Sequence, residues 1–155
     1  MSLIRLRRPD INFLAVAPGI SRRAKIQEIK IAHIQPLEDL LKKEVVDYFM
    51  GNPAEIFKKK ERIRVVKNSD PRFKFYAADG NNRLYVYFAL GHECVSIVPD
   101  YNYYFYSGEI SESDMRREDA FSAVDTYEMG ITRWSDLRSR IIPLAEYEKI
   151  MNERN

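Results

Sequence analysis

The chain has 155 residues, 45% of them hydrophobic, with 25 Lys+Arg against 23 Asp+Glu and a formal net charge of +2. That length and apolar share suffice for one domain with a buried core, and the absence of a long apolar run excludes a transmembrane helix. A single cysteine rules out an internal disulfide, and His33, His92 and Cys94 are too few nitrogen and sulfur ligands for a structural zinc site, so no metal centre is expected.

Residues 1 to 24 read as an irregular basic segment. Met1-Ser2-Leu3 has the look of an expression remnant, and Met1 to Arg8 lacks the apolar core of a secretory signal, so a cytoplasmic protein is expected. A strand is predicted over residues 25 to 31. A helix is predicted over 37 to 50, where Leu37, Leu40, Leu41, Val45, Tyr48 and Phe49 recur at helical spacing before Gly51. Asn52 as cap and Pro53 at the first position open a short helix to Lys60. Two strands, 62 to 66 and 73 to 78, flank the turn Asn68-Ser-Asp-Pro71. A helix then starts at Asn81 or Asn82 and ends at Leu90, followed by a strand from Cys94 to Pro99. Beyond it, Tyr101-Asn-Tyr-Tyr-Phe-Tyr106 reads as an extended segment packing alternate rings on the core, a base-stacking platform being the rival reading. Helices are predicted over 114 to 129, 133 to 141 and 143 to 152. The expected fold is therefore α+β: a mixed sheet with packed helices over residues 25 to 100, and a helical extension over 101 to 155 packed on that core.

The most informative stretch is Asp79-Gly80-Asn81-Asn82-Arg83, which joins a predicted strand to a nearly all-apolar helix. The first N–H groups of a helix lack acceptors within it and carry roughly half a positive charge, so an anion docked there is favoured. Asp79 or Asn81 can cap the helix, Gly80 permits an unusual backbone angle or close approach of a phosphate, and Asn82 adds a side-chain amide. Arg83 places a cation in the first turn, opposing the helix dipole by ~0.3–1 kcal/mol, which is easier to understand if it holds a negative ligand. The plain alternative is a capped, glycine-bearing helix start without a ligand.

These segments, in this order, resemble ParB-like domains of the ParB/sulfiredoxin superfamily. The match runs through the opening strand and Ile34-Gln35-Pro36-Leu37, Arg62-Ile-Arg-Val-Val66, Phe73-Lys-Phe-Tyr-Ala-Ala78, the Gly-x-x-Arg helix start at Gly80 to Arg83, the helix ending in Leu90-Gly91, and Cys94-Val-Ser-Ile-Val-Pro99. It covers roughly residues 24 to 100. The superfamily includes the CTP-binding domain of partitioning ParB, an ADP-dependent free-serine kinase and sulfiredoxin, all of which place nucleotide phosphates at this helix start. The resemblance thus implies a nucleoside di- or triphosphate, with Mg²⁺ as companion, bound by Gly80, Asn81, Asn82 and Arg83, in a phosphotransferase or nucleotide-dependent switch. Asn81 and Asn82 stand where sulfiredoxin has its reactive cysteine and histidine, so that chemistry is excluded. Carboxamides do not shuttle protons near neutral pH, which leaves Glu28, Glu38, Asp39 and Asp79 as carboxylates for a general base. Asp79 ranks first among them, with a helix-capping role as its alternative.

Charge is unevenly spread. Residues 1–66, 67–100 and 101–155 carry +6, 0 and −4. The basic clusters Arg5-Leu-Arg-Arg8, Arg22-Arg23-Ala-Lys25 and Lys58-Lys-Lys-Glu-Arg62 keep a second class open, a non-catalytic nucleic-acid- or protein-binding module of the same fold. A sequence-reading helix is not evident. Aligning Gly130-Ile-Thr-Arg-Trp-Ser-Asp-Leu137 with a helix-turn-helix would put Asp136 at a buried apolar position.

Overall fold

The computed structural model describes residues 3–5, 7–8, 11–18, 25–58, 63–68, 72–106, 109–115 and 121–154. In chain order the amino-terminal part supplies β1 (Leu3–Arg5), β2 (Arg7–Arg8), β3 (Ile11–Pro18), β4 (Gln27–Lys30), a 3-10 turn (Ile31–His33), β5 (Ile34–Gln35), β6 (Leu41–Lys42), α1 (Lys43–Gly51) and α2 (Ala54–Lys58). The middle supplies β7 (Ile63–Lys67), β8 (Phe75–Ala77), α3 (Asn81–Ala89) and β9 (Cys94–Tyr106). Last come β10 (Glu109–Ser111), the single turn α4 (Glu112–Met115), β11 (Phe121–Val124), a 3-10 helix (Trp134–Arg140), β12 (Ile141–Ile142) and α5 (Leu144–Arg154). The class is α+β with a mixed sheet.

The 13-residue β9 is the spine of that sheet, whose order is β11-β3-β9-β7-β8-β5. Its first half pairs antiparallel with β4, Gln27 opposite Ile97, and its second half antiparallel with β3, Ala15 opposite Tyr106. Strand β7 runs parallel to β9 and antiparallel to β8, with Val65 opposite both Pro99 and Ala77. Burial along β7 alternates from Ile63 through exposed Arg64 to Val65, and the alternation breaks at buried Val66 and exposed Lys67, where the register with β9 shifts. Helix α3 lies between α1 and the 3-10 helix Trp134–Arg140. Leu84, Tyr85 and Val86 of α3 join Val46, Phe49, Ile97, Trp134 and Leu137 in one core. Burial fades along α3, and Ala89 and Leu90 are exposed, so it is the helix's start that the fold holds fast. Among the described residues no helix is long and apolar enough to cross a membrane.

Four expectations are corrected. The amino-terminal segment is not irregular throughout: β3 pairs with β9 and β11, β2 with β3, and β1 with β10. Its Ile11-Asn-Phe-Leu-Ala-Val run is rich in strand-forming residues, and the partner edge that fixes it comes from the far end of the sequence. The helix expected from residue 37 begins only at Lys43. Residues 37 to 42 cannot coil because their backbone donors and Leu41–Lys42 are held elsewhere: Asn81 and Asn82 accept the N–H groups of Leu37 and Lys42, and β6 pairs in parallel with β12. The strand expected to end at Pro99 continues to Tyr106, keeping the 101–106 run extended.

The helix expected over 114 to 129 is replaced by the turn α4 and by β11, which adds to the sheet beside β3, so the carboxy-terminal extension is mixed and not simply helical. The rest of that region does dock on the core, through Ile131, Trp134 and Leu137. Residues 1, 2, 22–24, 59–62, 69–71 and 116–120, which include parts of the basic clusters and of the turn at Asn68, lie outside the described residues.

Candidate functional site

Gly80 sits at the N-cap of α3 in the left-handed conformation, φ +79°. The backbone angle favours glycine, and a Cβ here would lie 3.1 Å from Arg83 Nη2 and 3.3 Å from Ile63 Cγ1, so the guanidinium folded back over it would have to give by a few tenths of an ångström. Asp79 shapes the turn: its N–H donates to the Arg64 carbonyl at 3.1 Å and its Oδ1 accepts the Gly80 N–H at 2.7 Å. The side chain that ranked first as a base is thus exposed and engaged in turn formation.

The two asparagines act as brackets. Asn81, 3% exposed, donates from Nδ2 to the Ala77 carbonyl at 2.9 Å, while its Oδ1 accepts the N–H of Leu37 at 2.9 Å and that of Glu38 at 3.4 Å. Asn82 Oδ1 accepts the Lys42 N–H at 3.0 Å. Their carboxamide oxygens therefore serve the segment 37–42. What these residues offer an anion is the first-turn backbone N–H groups, which have no acceptor inside the helix. Arg83, 9% exposed, places its guanidinium beside Gly80, and its charge reaches the Tyr87 hydroxyl one turn on, opposing the upward shift that burial gives that phenol.

Because Asn81 accepts the backbone N–H groups of Leu37 and Glu38, the Glu38 backbone is held at the same helix start, and the charge of Asp79 acts on its carboxyl. Its Oε2 is buried and meets no hydrogen-bond partner among the described residues. Burial pushes the Glu38 carboxyl above its ordinary range; Lys42 opposes that rise, while the charges of Asp39 and Asp79 add to it. The fourth carboxylate, Glu28, lies on β4 opposite Ser96 and is not among the charges acting on Glu38.

Asp39 is spoken for. At 1% exposure, it takes both guanidinium nitrogens of Arg154 at 2.7 Å, with Arg140 at 3.9 Å. Helix α5 thereby reaches the site, and Lys42 Nζ stands 5.0 Å from the Tyr147 ring centroid. Burial pushes the Tyr147 hydroxyl up to about 12, with Glu38 and Asp39 adding and Arg154 opposing. Sequence reasoning missed Arg140, Tyr147 and Arg154, for which no local signal exists. It named Glu38 only as one carboxylate among four. Two further ties fix the segment before Glu38: Trp134 Nε1 donates to the Ile34 carbonyl at 2.9 Å, and the buried Thr126 hydroxyl donates to the Pro36 carbonyl.

Among the described residues no group of three or more His, Cys, Asp or Glu side chains is placed to hold a metal ion. No protein-family model matches the chain. No curated protein matches it either.

Proposed function

We propose that the start of α3 binds the phosphates of a nucleoside di- or triphosphate and that Glu38 accepts a proton there, as in a phosphotransferase of ParB-like fold. The observation that carries this reading is the pairing of an anion-favouring helix start, Gly80 to Arg83, with a buried carboxyl of raised pKa tied to it through Asn81. The resemblance of residues 24 to 100 to ParB-like domains points to the same place. Backbone N–H groups at a helix start bind phosphate without ordering any side chain, and the Arg83 fork adds charge-assisted bonds.

A general base works best with its pKa near the working pH, and burial moves Glu38 in that direction. In the proposed transfer the acceptor's hydroxyl proton passes to Glu38 as its oxygen bonds to phosphorus and the bond to the leaving nucleotide breaks. Mg²⁺ would arrive on the phosphates, its usual mode of binding at such sites.

The test is a thermal-shift screen against nucleoside di- and triphosphates, with and without Mg²⁺. A ligand at 100 times its dissociation constant stabilises by ~2.7 kcal/mol, so a true ligand raises the melting temperature measurably. No shift with any nucleotide at millimolar concentration would overturn the reading. If nucleotides bind but Glu38→Gln leaves turnover with hydroxyl acceptors unchanged, the proton-acceptor role falls while the binding site stands.

A further inference from the structure

The far end of α3 borders a cavity of about 260 Å³, between the 3-10 turn Ile31–His33, the end of α3 and the loop before Trp134. We propose that it is a separate binding site for a small uncharged compound with a single aromatic ring. Three features select that class.

The floor is hydrocarbon. Ile31, Ile34 and Trp134 are each less than 5% exposed and Phe88 is half-buried. The one polar atom of the indole is already used, since Trp134 Nε1 donates to the Ile34 carbonyl. A ring entering the cavity therefore gains apolar burial and aromatic contact without stripping a polar group of its partner.

Size sets the second limit. An apolar cavity of ~150 Å³ holds benzene, and drug-sized ligands occupy sites from ~300 Å³ upward, so this space suits one substituted ring.

Charge sets the third. The ionisable lining residues His92, Glu93 and Arg133 are all exposed, Glu93 lying 3.8 Å from Lys30, so water screens their charges. A charged ligand would lose hydration against the hydrocarbon floor without meeting a buried countercharge among the lining residues. The half-buried Ser135 offers a hydroxyl to a neutral polar substituent.

Trp134 is the chain's single tryptophan and lines this cavity, so the indole fluorescence and N–H resonance come from a lining residue. The intact chain is titrated with benzyl alcohol, and in parallel with benzoate and benzylammonium. Benzyl alcohol is expected to give a saturable change in both signals, and the two ions to bind weaker by about tenfold or more. The exposed lining residue Ala32 is changed to Phe to fill the opening; Ser135→Phe, at a second lining residue, does the same, and whichever variant keeps the wild-type melting temperature is used. Loss of the saturable response in that variant supports the site. A response that grows linearly without saturating, or that persists unchanged in the blocked variant, overturns it. Tighter binding of either ion than of benzyl alcohol overturns the uncharged class.

Discussion

Asn81 Oδ1 accepts the backbone N–H of Leu37 at 2.9 Å, joining the first residue of α3 to a residue 44 positions earlier. This bond explains why residues 37 to 42 are not helical and why Glu38 stands beside the helix start. Asn81→Ala would leave the buried Leu37 donor and the Ala77 carbonyl without these partners. The expected loss is about 1–3 kcal/mol per unsatisfied group, read from urea unfolding. Asn81→Asp keeps the acceptor and adds a negative charge next to Glu38, so the Glu38 carboxyl should titrate at higher pH than in the parent, as followed by NMR.

Gly80→Ala meets two obstacles at once, a left-handed backbone and a Cβ 3.1 Å from Arg83 Nη2. The backbone alone costs ~1–2 kcal/mol. The displaced guanidinium should also weaken anion binding, so stability and nucleotide affinity are expected to fall together.

Arg154→Ala would leave the Asp39 carboxylate buried at 1% exposure with Arg140 at 3.9 Å. Removing one member of a buried ion pair costs about 3–5 kcal/mol, whereas the pair itself is no proof of net stabilisation. The variant is expected to show this loss in chemical denaturation, with amide exchange rising first in α5, which buries no residue fully.

Glu38 makes stability depend on pH with a definite sign. Its folded-state pKa is raised, mainly by burial, so the folded chain holds a proton that the unfolded chain has already released. The stabilising contribution is complete below the ordinary carboxylate range and is lost as pH rises through the folded-state value. Glu38→Gln should therefore flatten the decline above that range and be more stable than the parent at neutral pH, as measured by melting temperature against pH.

The helix start and the strands before it were readable because their signals are local. Gly80 with Asn81 punctuates a helix start, and the observed α3 begins at Asn81; the strands β7 and β8 fall where the turn residues around Asn68 put them. What escaped depends on distant partners. Leu37, Leu40 and Leu41 do follow a helical period, yet they are buried because the chain around them is bracketed by Asn81, Asn82 and β12. Strand β11 needs β3 as its neighbour, and Arg154 finds Asp39 across 115 positions. No window of sequence contains either pair. The backbone partners of the Asn81 and Asn82 carboxamide oxygens were hidden for the same reason, since Leu37, Glu38 and Lys42 lie some forty positions earlier in the sequence.

The central claim is phosphate binding at the start of α3, and Arg83→Ala tests it most directly when nucleotide affinity and melting temperature are measured on the same sample. Loss of a charge-assisted bond worth ~1.5–3 kcal/mol predicts affinity lower by about tenfold to a hundredfold in a variant that still unfolds cooperatively. Unchanged nucleotide affinity together with a marked drop in melting temperature would contradict the account, because Arg83 would then be serving the fold through its place over Gly80 and not the ligand.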